Sequence, residues 1–228
     1  MSSEFTRVLQ TTYLSTPDGQ GAVERFNRRG EQVTSEFVFQ AALDGRLFVA
    51  SAGALTTPVT FAATATIDVT KPVIWGSVPS GTTIIPVAIV LYMEAFGINA
   101  QCEFEAKVGT GGSRTSGGTL VTATNMRSDA PNTSQVTWYQ GDATPVFVGS
   151  TTNVSRFWRD GEQFAITKTT ASATASASDP HKFVWKLLDS YTAPVAVGAS
   201  QIAVHQGSNA GTGFCDVYYV ELPTVSAT

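Results

Sequence analysis

Short runs in which apolar and polar residues alternate recur along most of this chain, and they predict strands rather than helices. The clearest run covers residues 99–108, NAQCEFEAKV, where Phe104 and Ala106 alternate with Glu103 and Glu105. Successive side chains of a strand face opposite sides, so this period of two predicts one buried face and one hydrated face. Residues 182–188, KFVWKLL, repeat the pattern with aromatic residues on one face.

About ten to twelve such strands are separated by turn signals roughly every 8 to 15 residues, and no long segment has a helical period. This arrangement is typical of an antiparallel β-sandwich, and a jelly-roll-like path is the expected topology. The polar segment 1–32 reads as an extended N-terminal arm. Residues 33–228 then form a single all-β domain.

The first part of that domain, residues 33–50, allows two interpretations. Asp44-Gly45 lies between apolar residues, which is a signal for a turn between two strands. The alternative is a short helix over residues 36–43.

An unusual juxtaposition occupies residues 72–95, where a turn rich in Gly, Pro and Ser runs into a long apolar segment. Gly76 and Gly81 have the spacing of a phosphate-binding loop, but Thr82 stands where such a loop has lysine. The residues that follow are β-branched and aromatic, which predicts a strand. The apolar run is also far shorter than the roughly 20 residues of a membrane-spanning helix, so no membrane segment is expected.

The long strand predicted here is apolar on both faces, so both faces should be covered. We expect one face to meet the core and the other to meet a neighbouring subunit, with Trp75 and Pro86 as candidate interface residues. Because proline has no N–H to donate, Pro86 should lie at a strand end or at a β-bulge.

Charge changes the picture of the surface. Only 14% of residues are charged and the net charge is −4, a composition that suits a protein covered by copies of itself or by partners. The densest basic group is Arg25, Arg28 and Arg29, which we interpret as surface or interface ion pairs and as further candidate interface residues. A nucleic-acid partner is not expected, because no basic run or face is visible.

The sequence contains little that indicates a catalytic site. The only histidines, His181 and His205, have no metal-ligand spacing around them. Glu103 and Glu105 are about 7 Å apart by strand rise, a separation compatible with a glycosidase pair, but we interpret them as solvated or subunit-contacting residues on a flat face. The sequence therefore predicts no catalytic residues, no cofactor and no metal.

The two cysteines, Cys102 and Cys215, belong to no paired motif. They form either one bridge, if their strands lie side by side, or two free thiols in the core.

Three aromatic pairs, at positions 138–139, 157–158 and 218–219, raise the possibility of a sugar-binding surface. In a regular strand only one member of each pair is exposed. Core packing is the ordinary explanation of such pairs, and Trp158 is the candidate glycan contact if one of them is exposed.

Three features together resemble virion structural proteins of tailed bacteriophages. They are the N-terminal arm, the Val73-Ile74-Trp75…Ser80-Gly81 turn leading into a long apolar strand, and the ending Tyr218-Tyr-Val-Glu221-Leu-Pro223. The likeness is to small β-sandwich head proteins of the decoration, cement or minor capsid type. It implies a homotrimer on a capsid surface, with the major capsid protein as partner and no enzymatic activity.

The sequence thus supports a non-enzymatic virion protein that cements or decorates the capsid through its arm. The alternative is a module of a phage fibre or head spike that binds a receptor or a host glycan.

Overall fold

A computed structural model describes residues 37–61, 67–95, 101–130, 132–141, 147–148, 152–163, 181–190, 193–207 and 211–223. The predicted arm, residues 1–32 with Arg25, Arg28 and Arg29, lies outside the described residues. In chain order the elements are α1 (Phe37–Leu43), β1 (Leu47–Ala52), β2 (Val59–Phe61), β3 (Pro72–Val78), β4 (Thr82–Ala95), β5 (Gln101–Thr110), β6 (Ser113–Arg114), β7 (Thr119–Val121), β8 (Thr124–Asn125), β9 (Thr137–Gln140), β10 (Phe147–Val148), β11 (Thr152–Gln163), β12 (His181–Lys186), a 3-10 helix (Leu187–Asp189), β13 (Ala196–Val197), β14 (Ser200–Gly207) and β15 (Gly211–Pro223).

Two antiparallel sheets pack face to face, which confirms the predicted all-β sandwich. Sheet I has the strand order β12-β4-β15-β1-β8, with β13 also paired to β4 and β2 to β15. Sheet II has the order β11-β5-β14-β3-β9-β7. The jelly-roll path itself stays a prediction.

Aromatic pairs join the two sheets across the core. Phe104 of sheet II meets Phe183 of sheet I with ring centroids 5.0 Å apart, and Trp138 meets Tyr219 at 5.2 Å. Trp138 fits because Gly76 on the neighbouring strand has no side chain, and a Cβ there would lie 2.9 Å from the indole ring. Burying each such large apolar side chain stabilises the fold by about 1.5–3 kcal/mol.

The segment before β1 is a helix, so the two-strand interpretation is wrong and the helical alternative is confirmed. Asp44-Gly45 ends α1 instead of turning a hairpin. Gly45 has φ +66°, its N–H bonds the Ala42 carbonyl, and the Arg46 N–H bonds the Ala41 carbonyl. These two bonds form a Schellman cap. A glycine at positive φ serves a helix end as well as a hairpin turn, which is why the sequence signal was ambiguous.

Residues 72–95 form β3, a short turn at Pro79–Gly81 and β4, as the strand interpretation predicted. Gly81 takes φ +85° in this turn, which carries the chain from sheet II to sheet I. The register of β4 against β15 shifts between Tyr219↔Pro86 and Tyr218↔Ala88, so Pro86 lies beside a β-bulge, as expected.

Within this chain, both faces of β4 are covered only near its beginning, and coverage of the remaining outer face by a neighbouring subunit stays a prediction. From Ile89 onward the strand alternates: Ile89, Leu91 and Met93 are buried, whereas Tyr92 and Glu94 are exposed. Alternating inward residues also lie on β5 and β12, where Phe104, Ala106, Phe183 and Trp185 are buried as predicted.

Candidate functional site

The candidate interface residues that the structure describes are inside the subunit. Trp75 is 4% exposed on the outer face of sheet II, where its ring lies 6.1 Å from that of Tyr139 and its indole N–H bonds the Gln201 side chain. Pro86 is buried as well. Side chains already covered by their own chain offer little surface to a neighbour, so an interface role for Trp75 and Pro86 stays a prediction.

Trp158 is also buried, at 8% exposure, which corrects its prediction as an exposed glycan contact. The register of β11 against β5 shifts between Arg156 and Trp158. At this irregularity both Phe157 and Trp158 join the core, and Phe157 packs edge-on against Trp185 with centroids 4.9 Å apart. A bulge breaks the alternation on which the prediction depended.

The outer face of sheet II carries an ion-pair cluster around a buried carboxylate, that of Glu105. Glu105 Oε1 is 2.7 Å from Lys107 Nζ, and Oε2 is 2.9 Å from Arg156 Nη1. Burial by itself raises the pKa of Glu105, but the hydrogen bonds and charges of Lys107 and Arg156 outweigh it and hold the pKa below its ordinary value. We call Glu105, Lys107 and Arg156 the Glu105 cluster. The burial of Glu105 corrects the prediction that this residue lies on a hydrated face. Glu103, on the same strand, pairs with the exposed Arg159.

His205 lies directly across the strand pair from Glu105 and is 2% exposed. Burial, assisted by the charge of Lys107, lowers the pKa of His205 to about 4, against the opposing influence of Glu105 and Asp68. Its Nδ1 atom has no hydrogen-bond partner among the described residues. Next to it is a cavity of about 40 Å³, also lined by Trp75, Lys107 and Gln201. That volume accommodates water but no organic ligand.

A much larger groove opens at the end of sheet I where β15 finishes and β4 and β1 begin. Its volume is about 460 Å³. Polar side chains of four separate segments line it, namely Arg46, Thr82, Asn132, Thr133, Gln135 and Glu221. We call it the Glu221 groove. Apolar contacts in the same groove come from Phe48, Leu222 and Pro223.

A directed chain of hydrogen bonds connects the core to the Glu221 groove. Trp138 Nε1–H donates to the Tyr219 hydroxyl over 3.0 Å, and that hydroxyl lies 2.7 Å from Ser134 Oγ. Ser134 Oγ–H donates to Glu221 Oε2 over 2.7 Å, and the Gln135 N–H donates to Glu221 Oε1 over 3.0 Å. Because the serine proton goes to the carboxylate, the tyrosine proton goes to the serine oxygen. Every donor therefore points toward Glu221, an arrangement in which each bond polarises the next.

In the part of the chain that the structure describes, we find no site for nucleophilic catalysis or for a metal ion. Within those residues no group of three or more His, Cys, Asp or Glu side chains could hold a metal ion. Cys215 is free and buried, as the thiol alternative predicted, and burial raises the pKa of its thiol. The side chains of Cys102 and His181 lie outside the described set. Across the described ranges, no helix is long and apolar enough to cross a membrane.

Sequence reasoning missed the Glu221 groove. Its residues come from segments around positions 46, 82, 132–135 and 221, so no local spacing marks it. The one available signal was Glu221 itself, a lone acid in the apolar ending Tyr218–Pro223.

Comparison with known proteins gives no further guide. No family model matches the chain, and neither a curated protein nor a solved structure matches it. Function is therefore inferred from the residues and their geometry.

Proposed function

We propose that this protein is a non-enzymatic structural protein of a virion, which decorates or cements the capsid surface as a symmetric, trimeric assembly. The major capsid protein is its partner, and residues 1–32 act as the arm that reaches adjacent shell subunits. A jelly-roll-like sandwich is the expected topology of the domain that carries this arm.

The observation that carries the proposal is the exposure of α1, the helix that directly follows residues 1–36. Its sequence is FVFQAAL, and only Ala41 is buried. Phe37, Phe39 and Leu43 are 47%, 61% and 51% exposed. A surface helix normally turns its polar residues outward, so concentrated exposed apolar side chains indicate a surface that another subunit covers.

The low charge of the chain supports the same conclusion. Only 14% of residues are charged, compared with about a quarter in typical globular proteins. Weak contacts suffice for a shell protein, because each further contact within one particle forms at high effective concentration.

The test begins with particles from the native source. Sedimented particles are analysed by mass spectrometry, and the copy number of this chain is compared with that of the main shell protein. A fixed stoichiometric ratio supports the proposal, whereas absence from particles overturns it. A few copies per particle favour the alternative fibre or spike role.

A matched pair of variants then tests α1 directly. Leu43→Gln places an amide on α1, and Leu55→Gln makes the same change at a turn residue that is 99% exposed. We expect Leu43→Gln to weaken particle binding about tenfold, equivalent to about 1.4 kcal/mol of lost apolar contact. Leu55→Gln should bind like the original protein. Equal binding by both variants contradicts a role for α1.

A further inference from the structure

We infer that the Glu221 groove is a binding site for a neutral saccharide of one or two rings. This inference is independent of the proposed capsid role, since it concerns a different part of the molecule from α1. The groove volume of about 460 Å³ falls within the roughly 300–1,000 Å³ of small-molecule sites.

The carboxylate of Glu221 is held in place before any ligand arrives. Ser134 Oγ–H and the Gln135 N–H both donate to it, and the chain behind Ser134 ends on Trp138, which is 1% exposed. A side chain fixed by such a supporting network loses little conformational freedom on binding.

Glu221 retains acceptor capacity toward the groove. An ionised carboxylate has about four lone-pair positions. Its described donors are the Ser134 hydroxyl, which serves Oε2, and the Gln135 N–H, which lies 3.0 Å from Oε1 and 3.2 Å from Oε2. The unused positions suit a ligand that donates hydrogen bonds, and two adjacent sugar hydroxyls match the two oxygens of a carboxylate.

Further ligand partners stand beside the carboxylate. The Gln135 side chain and the Thr133 hydroxyl are exposed, and neither bonds another described residue. The amide both donates and accepts, as the hydroxyl does. Alternating donors and acceptors of this kind complement sugar hydroxyls, each of which also does both.

Charge and apolar contacts narrow the ligand class. Glu221 and Arg46 contribute one charge of each sign to the groove, which favours a neutral ligand over a polyanion. Leu222 and Pro223 add apolar surface, against which the C–H groups of a sugar ring can pack. A flat apolar compound would leave the polar groups without partners, at a desolvation cost.

The experiment uses the full chain and a panel of free glucose, galactose, mannose, rhamnose, N-acetylglucosamine and their common disaccharides. Binding is measured by saturation-transfer NMR and titration calorimetry. We expect at least one neutral sugar to bind saturably. Gln135→Ala should weaken this binding about tenfold, the effect of losing one or two hydrogen bonds, and Glu221→Gln should weaken it at least as much.

Thr133→Ala and Thr119→Ala form the matched control pair. Thr133 lines the groove, and Thr119 is an exposed residue of β7 in the other sheet. Only Thr133→Ala should reduce sugar binding. Because Gln135 and Thr133 are exposed, their variants should fold even if Glu221→Gln does not, and thermal unfolding checks each variant.

Two results overturn the inference: no sugar of the panel binds, or binding is unchanged in both Gln135→Ala and Thr133→Ala. The outcome is separate from that of the capsid proposal, because particle binding by Gln135→Ala should equal that of the original protein.

Discussion

Two glutamates in this sandwich accept several hydrogen bonds, yet their surroundings differ in kind. Glu105 lies in the middle of the outer face of sheet II, between the charged groups of Lys107 and Arg156. Glu221 lies at the end of sheet I, where Ser134 and a backbone N–H donate to it. The cavity near the first is about 40 Å³ and the groove beside the second about 460 Å³.

The difference separates a structural role from a binding role. Glu105 pairs with the half-buried Lys107 and with the exposed Arg156, so its charge is already used inside the subunit. Glu221 is fixed by neutral donors and faces an open groove, so its charge is available to a ligand. A glutamate of sheet II therefore stabilises its own subunit, whereas a glutamate of sheet I is available to a ligand.

The largest expected effect comes from making the same substitution at both positions. Glu105→Gln leaves Lys107 and Arg156 without their carboxylate, which should lower the free energy of unfolding by about 3 kcal/mol. Glu221→Gln should lower it by only about 1 kcal/mol, since an amide oxygen still accepts from neutral donors. Urea unfolding at pH 7 measures both, and equal losses would remove the distinction between the two sites.

The second-largest expected effect is a loss of unfolding free energy in acid. His205 has a pKa of about 4 in the folded protein and about 6.5 when unfolded, so the unfolded state binds the proton more readily. The contribution of His205 is complete above about pH 6.5 and declines as the pH falls toward 4. Unfolding free energy should therefore fall by about 2–3 kcal/mol between pH 7 and 4.5.

His205→Gln should remove most of this pH dependence, whatever the stability of the variant protein at pH 7. Glu105 and Asp68 have lowered pKa values in the folded state, so their contributions to stability decline only as the pH falls toward their unfolded values of about 4, and above about pH 5 they add little to the slope. Denaturant unfolding across the window gives the slope directly. A variant with the slope of the original protein would show that another group causes the acid sensitivity.

The smallest expected effect tests the link between core and groove. Tyr219→Phe removes the hydroxyl between Trp138 and Ser134, and it should cost about 1.5 kcal/mol because Trp138 Nε1 loses its acceptor. Tyr92→Phe is the matched control at a tyrosine that is 40% exposed, and it should change stability by less than about 0.5 kcal/mol. Thermal unfolding compares the two, and similar losses would mean that the hydroxyl of Tyr219 carries no special role.

Sequence reasoning succeeded where periodicity was regular and failed where a local irregularity intervened. Phe104 and Ala106 were assigned to the core correctly because β5 alternates without interruption there. Trp158 was assigned to the surface wrongly because the bulge near Arg156 turns two consecutive side chains inward. Glu105 was assigned to a hydrated face because nothing local shows that Arg156, 51 residues away, lies against it.

The sequence by itself determined the fold class, since alternation with a period of two commits a segment to a strand with one buried face. It also determined the strand after Gly81 and the position of Pro86 at a bulge, because both depend on local backbone chemistry. Only the tertiary structure decided which outer faces are covered and where polar side chains converge. The Glu221 groove joins residues as far apart as Arg46 and Glu221, and such a meeting depends on strand order and register, which local patterns do not encode.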